Sequence, residues 1–120
     1  MTAVEIARAV ADLAGRARSG QLTQEDYHGA TYTISNNGSF GTLYTTPIIN
    51  QPQVAILSID GITKKPVVVE NTDGESIAIR PVGVLAQSFD HRAVDGAYSA
   101  AFLHRVREII QTTNWATIVS

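Results

Sequence analysis

Apolar residues recur at helical spacing near the N-terminus: Ile6, Val10, Leu13 and Ala17 fall on one stripe, with Arg8, Asp12 and Arg16 off it. Thr2 followed by Glu5 predicts a capping box, in which each side chain bonds the other residue's free backbone N–H. The pattern stops at Ser19-Gly20, where glycine supplies the left-handed conformation that closes a helix. Residues 21–29 read as a polar loop and residues 30–35 as a short β-rich segment. Asn36-Asn37-Gly38-Ser39-Phe40-Gly41 is a turn by composition.

The period then changes. Residues 54–59 (Val-Ala-Ile-Leu-Ser-Ile) form an apolar run, which predicts a strand buried on both faces. Residues 66–70 and 76–80 alternate around Asn71-Thr72-Asp73-Gly74 and predict a hairpin. Residues 82–89 predict another apolar strand, which delivers His91 just past its end. Asp95 is placed to cap a final helix whose apolar face carries Phe102, Leu103, Val106, Ile109 and Ile110. Trp115, Ile118 and Val119 make an apolar tail. With 120 residues and no repeat, low-complexity stretch or linker, the chain is expected to be one domain.

Composition narrows the chemistry. The apolar fraction of 44% is that of a globular protein, while the charged fraction of 17% is low and hints at surface covered by partners. A net charge of −2 gives no electrostatic case for nucleic acid or an anionic membrane. The absence of cysteine removes disulfides, thiolate metal sites and cysteine nucleophiles. His28 and His104 have no second ligand at metal-like spacing, so no metal is expected. The N-terminus is not basic, no apolar signal core follows it, and no apolar run reaches membrane-spanning length. The expectation is a soluble, cytoplasmic protein.

The chemistry concentrates in Ser88-Phe89-Asp90-His91-Arg92-Ala93-Val94-Asp95-Gly96, between a buried strand and an amphipathic helix. An imidazole held rigidly there can serve as a general base, because its pKa lies near the working pH. The competing reading is a histidine that only closes a strand end. Asp95 can orient the imidazole or the neighbouring backbone, and it also suits plain helix capping. Asp90 and Arg92 are expected to pair and fix the loop. Gly38-Ser39-Phe40-Gly41 lacks the spacing and the lysine of a phosphate-binding loop. Lys64-Lys65 is a candidate for meeting phosphates, weighed against the ordinary role of exposed lysines in solvation. Nothing in the chain resembles a serine-hydrolase elbow.

Asp90-His91-Arg92, followed after two residues by Asp95-Gly96, resembles the active-site signature of the dihydrolipoyl acyltransferases, the core subunits of 2-oxo acid dehydrogenase complexes. Residues 20–23 (Gly-Gln-Leu-Thr), 29–36 (Gly-Ala-Thr-Tyr-Thr-Ile-Ser-Asn) and 46–57 are similar to further segments of that family, in its order. The resemblance covers nearly the whole chain but only the C-terminal half of the family's catalytic domain. It assigns residues 1–120 to that half. The lipoyl domain, the subunit-binding domain and the first half of the catalytic domain have no counterpart. A fragment of a longer protein is the expectation, with a truncated paralogue as the alternative.

The resemblance implies an α/β, chloramphenicol-acetyltransferase-like two-layer fold assembled as trimers. It implies acyl transfer between dihydrolipoyl-lysine and coenzyme A, a substrate of the reaction, with the lipoyl group on a separate domain and no metal. His91 would be the base, Asp95 would hold its loop, and the Ser35 hydroxyl would donate to the oxyanion, Ser39 being the alternative if the register slips. Without the resemblance, Ser35 reads as a serine bonding its own turn. The family's architecture places Ser35 and His91 of one site on different subunits. Implied partners are copies of the chain, a lipoyl domain, and the decarboxylase and dihydrolipoyl dehydrogenase subunits. The rival reading is a non-catalytic assembly module of the same fold. An antibiotic O-acetyltransferase is a third, disfavoured by Arg92 and by residues 46–50.

Overall fold

The computed structural model describes residues 1–118 and divides into two units, one holding Met1–Ala30 with the chain from Arg105 onward, the other Thr31–His104. The first unit opens with helix α1 (Ala3–Arg18). Its capping box forms as the sequence predicts: Glu5 N–H donates to Thr2 Oγ1 (3.2 Å) and Thr2 N–H to Glu5 Oε2 (2.6 Å). Its end is also where glycine places it, with Gly20 at φ 69° and Gln21 N–H returning to the Arg16 carbonyl. Arg16 then forks onto Asp26 through two bonds of 2.8 and 2.7 Å, which ties the 3-10 turn Gln24–Tyr27 to the helix. No residue of α1 is buried, so the stripe that predicts the helix lies open, Val10 being 60% exposed.

The second unit contains a three-stranded sheet and a separate hairpin. Its strands are β1 (Thr33–Asn36), β2 (Ala55–Ile59), β3 (Thr63–Asn71), β4 (Gly74–Val82) and β5 (Leu85–Phe89), and helix α2 (Gly96–Thr112) starts in this unit and from Arg105 belongs to the first. In the sheet β2 is central, parallel to β1 and antiparallel to β5. Ala55, Ile56, Leu57 and Ser58 are all buried, which is the doubly covered strand that the apolar run predicts. β3 and β4 pair from Thr63↔Val82 to Asn71↔Gly74, and Gly74 takes the positive φ (111°) that the tight turn needs.

One expectation is corrected. Residues 82–89 are not one strand: Val82 closes β4, and β5 begins only at Leu85. Apolar character runs through both, yet the chain must pass from hairpin to sheet between them. Gly83 makes the passage, since a Cβ there would stand 3.0 Å from Ile62 Cγ1.

A polar thread seats the start of α2. Tyr32 donates its hydroxyl to Gln87 Oε1 (2.6 Å), and Gln87 Nε2 donates to Ser99 Oγ (2.8 Å), Ser99 being the buried residue of α2. The rings of Tyr32 and Phe102 pack beside it at 5.8 Å. At the chain's end the Trp115 indole N–H donates to the Ile110 carbonyl (2.9 Å). Trp115 and Ile118 are partly exposed, and Val119 lies outside the described residues.

Candidate active site

His91 stands just beyond the end of β5, on a turn built to be rigid. Asp90 N–H extends the ladder by donating to the Val54 carbonyl (2.8 Å). The N–H groups of Ala93 and Val94 then close onto the Asp90 carbonyl at 3.0 Å each. The Asp90 carboxylate accepts from Arg92 N–H (2.9 Å) and from its guanidinium (Nη2, 2.6 Å), the pairing the sequence predicts. Those bonds push the Asp90 carboxyl down to about 2. His91 itself is exposed and packs its ring against Phe89 at 5.5 Å.

Asp95 is seen in its capping role. Its Oδ1 accepts from Tyr98 N–H (2.7 Å), and its carbonyl accepts from Ser99 N–H, which starts α2. Among the described residues no hydrogen bond joins Asp95 to the His91 ring, so its link to His91 runs through the backbone it anchors.

Ser35 lies on β1, half-buried and in register with Ser58 of β2. Its hydroxyl oxygen accepts from Asn37 Nδ2 at 3.4 Å, and the same amide donates to Thr45 Oγ1 at 3.3 Å. Ser39 is exposed in the 3-10 turn Gly38–Phe40.

Next to them is a residue that reading the sequence did not single out. Asp60, 1% exposed, follows β2 and accepts from Thr42 Oγ1 (2.6 Å), Thr45 Oγ1 (2.6 Å), Ser58 Oγ (3.0 Å) and Thr45 N–H (3.1 Å). The bond from Thr42 leads these donors in holding the carboxyl below its ordinary range. Gly38 and Gly61 flank it where a side chain would crowd backbone: a Cβ on Gly61 would meet the Thr42 carbonyl oxygen at 3.0 Å. The signal was there to find: an acid and a glycine directly after a strand buried on both faces.

The structure does not bring Ser35 and His91 together. Ser35 sits level with Ser58, whereas Phe89 sits level with Ala55, at the other end of β2 and across it. Three residues along a strand and two strand spacings across separate Ser35 and Phe89 by about 14 Å, and His91 lies beyond. A base and an oxyanion donor acting on one carbonyl centre, each within about 3 Å of its target, cannot be so far apart.

The family described as 2-oxoacid dehydrogenases acyltransferase (catalytic domain) matches residues 1–118. The chain belongs to this family.

Among curated relatives, the succinyltransferase component of the mitochondrial 2-oxoglutarate dehydrogenase complex of Saccharomyces cerevisiae is 43% identical over 92% of this chain and 23% of its own length. The acetyltransferase component of the pyruvate dehydrogenase complex of Mycobacterium bovis is 47% identical over 86% of this chain and 20% of its own. The chain thus spans about a quarter or less of these relatives. Among solved structures, the Azotobacter vinelandii dihydrolipoamide acetyltransferase, studied for the role of a serine, a histidine and an asparagine in its catalytic mechanism, superposes with TM-score 0.84 at 32% identity. It is covered over 47% of its chain, and this chain over 100%. The cubic core of a pyruvate dehydrogenase multienzyme complex gives the same TM-score at 33% identity, again with 100% of this chain and 47% of that one covered. The mixed α/β fold is therefore that of the acyltransferase cores. No helix among the described residues is long and apolar enough to cross a membrane.

Proposed function

We propose that this chain is the C-terminal half of an acyltransferase catalytic domain, and that it contributes to acyl transfer between dihydrolipoyl-lysine and coenzyme A. In this reading His91 takes the proton from the coenzyme A thiol, whose pKa of about 8.5 leaves little thiolate at neutral pH. The thiolate attacks the thioester carbonyl carbon, and the carbonyl oxygen becomes an oxyanion that accepts from the Ser35 hydroxyl. Collapse breaks the bond to the dihydrolipoyl sulfur, which receives the proton back from His91. Asp95 holds the turn that carries the base.

The observation that carries the reading is the placement of Ser35 and His91 at opposite ends of one sheet. Two groups with complementary chemistry lie too far apart on one copy to serve a single site, which supports a site formed between two copies. The spacing agrees: in the Azotobacter enzyme the named histidine and asparagine are four residues apart, as His91 and Asp95 are here. Copies of the chain, a lipoyl domain, and decarboxylase and dihydrolipoyl dehydrogenase subunits are the partners proposed, with a trimer as the unit of assembly. The cytoplasmic location belongs to the same proposal, and cell fractionation decides it against the mitochondrial location of the yeast relative.

The test is transfer from acetyl-, succinyl- and isobutyryl-coenzyme A to dihydrolipoamide by the assembled enzyme that carries this chain. His91→Ala should lower the rate by about 10²–10⁴ with the oligomer intact. The preferred donor names the acyl group. Unchanged activity removes His91 from its role; a well-folded oligomer that transfers no acyl group points to an assembly module.

A further inference from the structure

The reaction just proposed leaves one buried charge unused. Asp60 is 1% exposed, and its four bonds all come from neutral donors, with no cation in contact among the described residues. Carboxylates are rarely buried without a cation, because desolvation costs more than hydroxyl bonds alone usually return. An ionised carboxylate can only accept hydrogen bonds, and that property reaches beyond its first neighbours.

Thr45 has one hydroxyl proton, and the 2.6 Å bond commits it to Asp60. The Thr45 oxygen can then only accept from its other side, so the group facing it must be a donor. That group is the Asn37 side-chain amide, whose Nδ2 end therefore points inward at 3.3 Å. The same Nδ2 donates its other proton to Ser35 Oγ. With a lone pair engaged there, the Ser35 proton is left to point away, toward an incoming acceptor. We propose that Asp60 is a positioning residue for the oxyanion donor: through Thr45 and Asn37 it fixes the direction in which the Ser35 hydroxyl donates. The inference rests on Ser35 having the oxyanion role proposed above.

An amide in place of the carboxylate breaks the one-way order, since it can donate to Thr45 and let the Asn37 amide turn over. The assembled enzyme carrying Asp60→Asn should show kcat lowered about tenfold, part of the roughly 10²–10³ that loss of an oxyanion donor costs, with KM for both thiols nearly unchanged. The deciding measurement repeats the substitution in a Ser35→Ala background. There the proposal expects Asp60→Asn to change kcat by less than about twofold, because the group it orients is gone. An equal loss in both backgrounds, or no loss in either, overturns it. If Asp60→Asn fails to assemble, Thr45→Val gives the same test, removing the relay hydroxyl while Thr42 and Ser58 still serve the carboxylate. Wild-type kcat in Ser35→Ala alone would instead overturn the underlying assignment of Ser35.

Discussion

Asp90 and Asp60 are two carboxylates held ionised by opposite means. Asp90 is held by a cation and a backbone N–H at an open turn, whereas Asp60 is held by three hydroxyls and a backbone N–H in a closed one. For Asp90 the folded value is depressed, so its contribution is present above the ordinary carboxylate pKa. It is lost as pH falls from there through about 2. The Arg92 side chain is 88% exposed, so the pairing is worth little at high salt. In a carboxyl NMR titration, Arg92→Ala should move Asp90 from about 2 back toward about 3.9. A titration that stays in place would mean the turn's N–H groups, not the guanidinium, set it. Asp95 is tested by its cap: Asp95→Asn should keep α2 as stable, whereas Asp95→Ala should cost about 1 kcal/mol in urea unfolding. Equal losses in both variants would contradict a capping role. The Asp95 cap and the Asp90–Arg92 pair could be read in the sequence because their chemistry is local. Asp60 escaped because its meaning depends on Thr42 and Thr45, brought to it by the fold.

The elements themselves were legible where a local rule decides them. Thr2 and Glu5 start α1, Gly20 ends it, and Gly74 turns the hairpin. Burial was less legible. The spacing of Ile6, Val10 and Leu13 specifies a helix, but among the described residues none of that stripe is buried. Val82 and Leu85 have the same apolar character and belong to different sheets, a distinction that only strand pairing makes. The hairpin has a further consequence. Pro66 lies opposite Ile79 and Val68 opposite Ile77, so these four share one face, with Val68, Ile77 and Ile79 66–77% exposed. Contiguous apolar faces of this kind mark surfaces that associate. Replacing Ile77 and Ile79 by lysine should leave the β3–β4 register intact and reduce self-association in sedimentation velocity. Undiminished association would show that this face plays no part in it.

The whole chain exposes 9475 Å² for 12.9 kDa, whereas a self-sufficient monomer of that mass exposes about 6,300 Å². Large apolar side chains contribute to it, Ile48 being 91% exposed and Phe40 83%. The low charged fraction is in keeping with this apolar exposure, but it does not say which faces carry it, because amphipathic periodicity does not say what lies opposite. The solved cores that superpose on this chain are about twice as long as the part it matches. At this level the distance between Ser35 and His91 bears on the proposal that each site forms between two copies. The direct test co-expresses Ser35→Ala and His91→Ala forms of the assembled enzyme, each nearly inactive alone. If every site takes its serine from one copy and its histidine from the next, random co-assembly restores about a quarter of wild-type activity. Mixed oligomers no more active than either parent would contradict a site shared between copies.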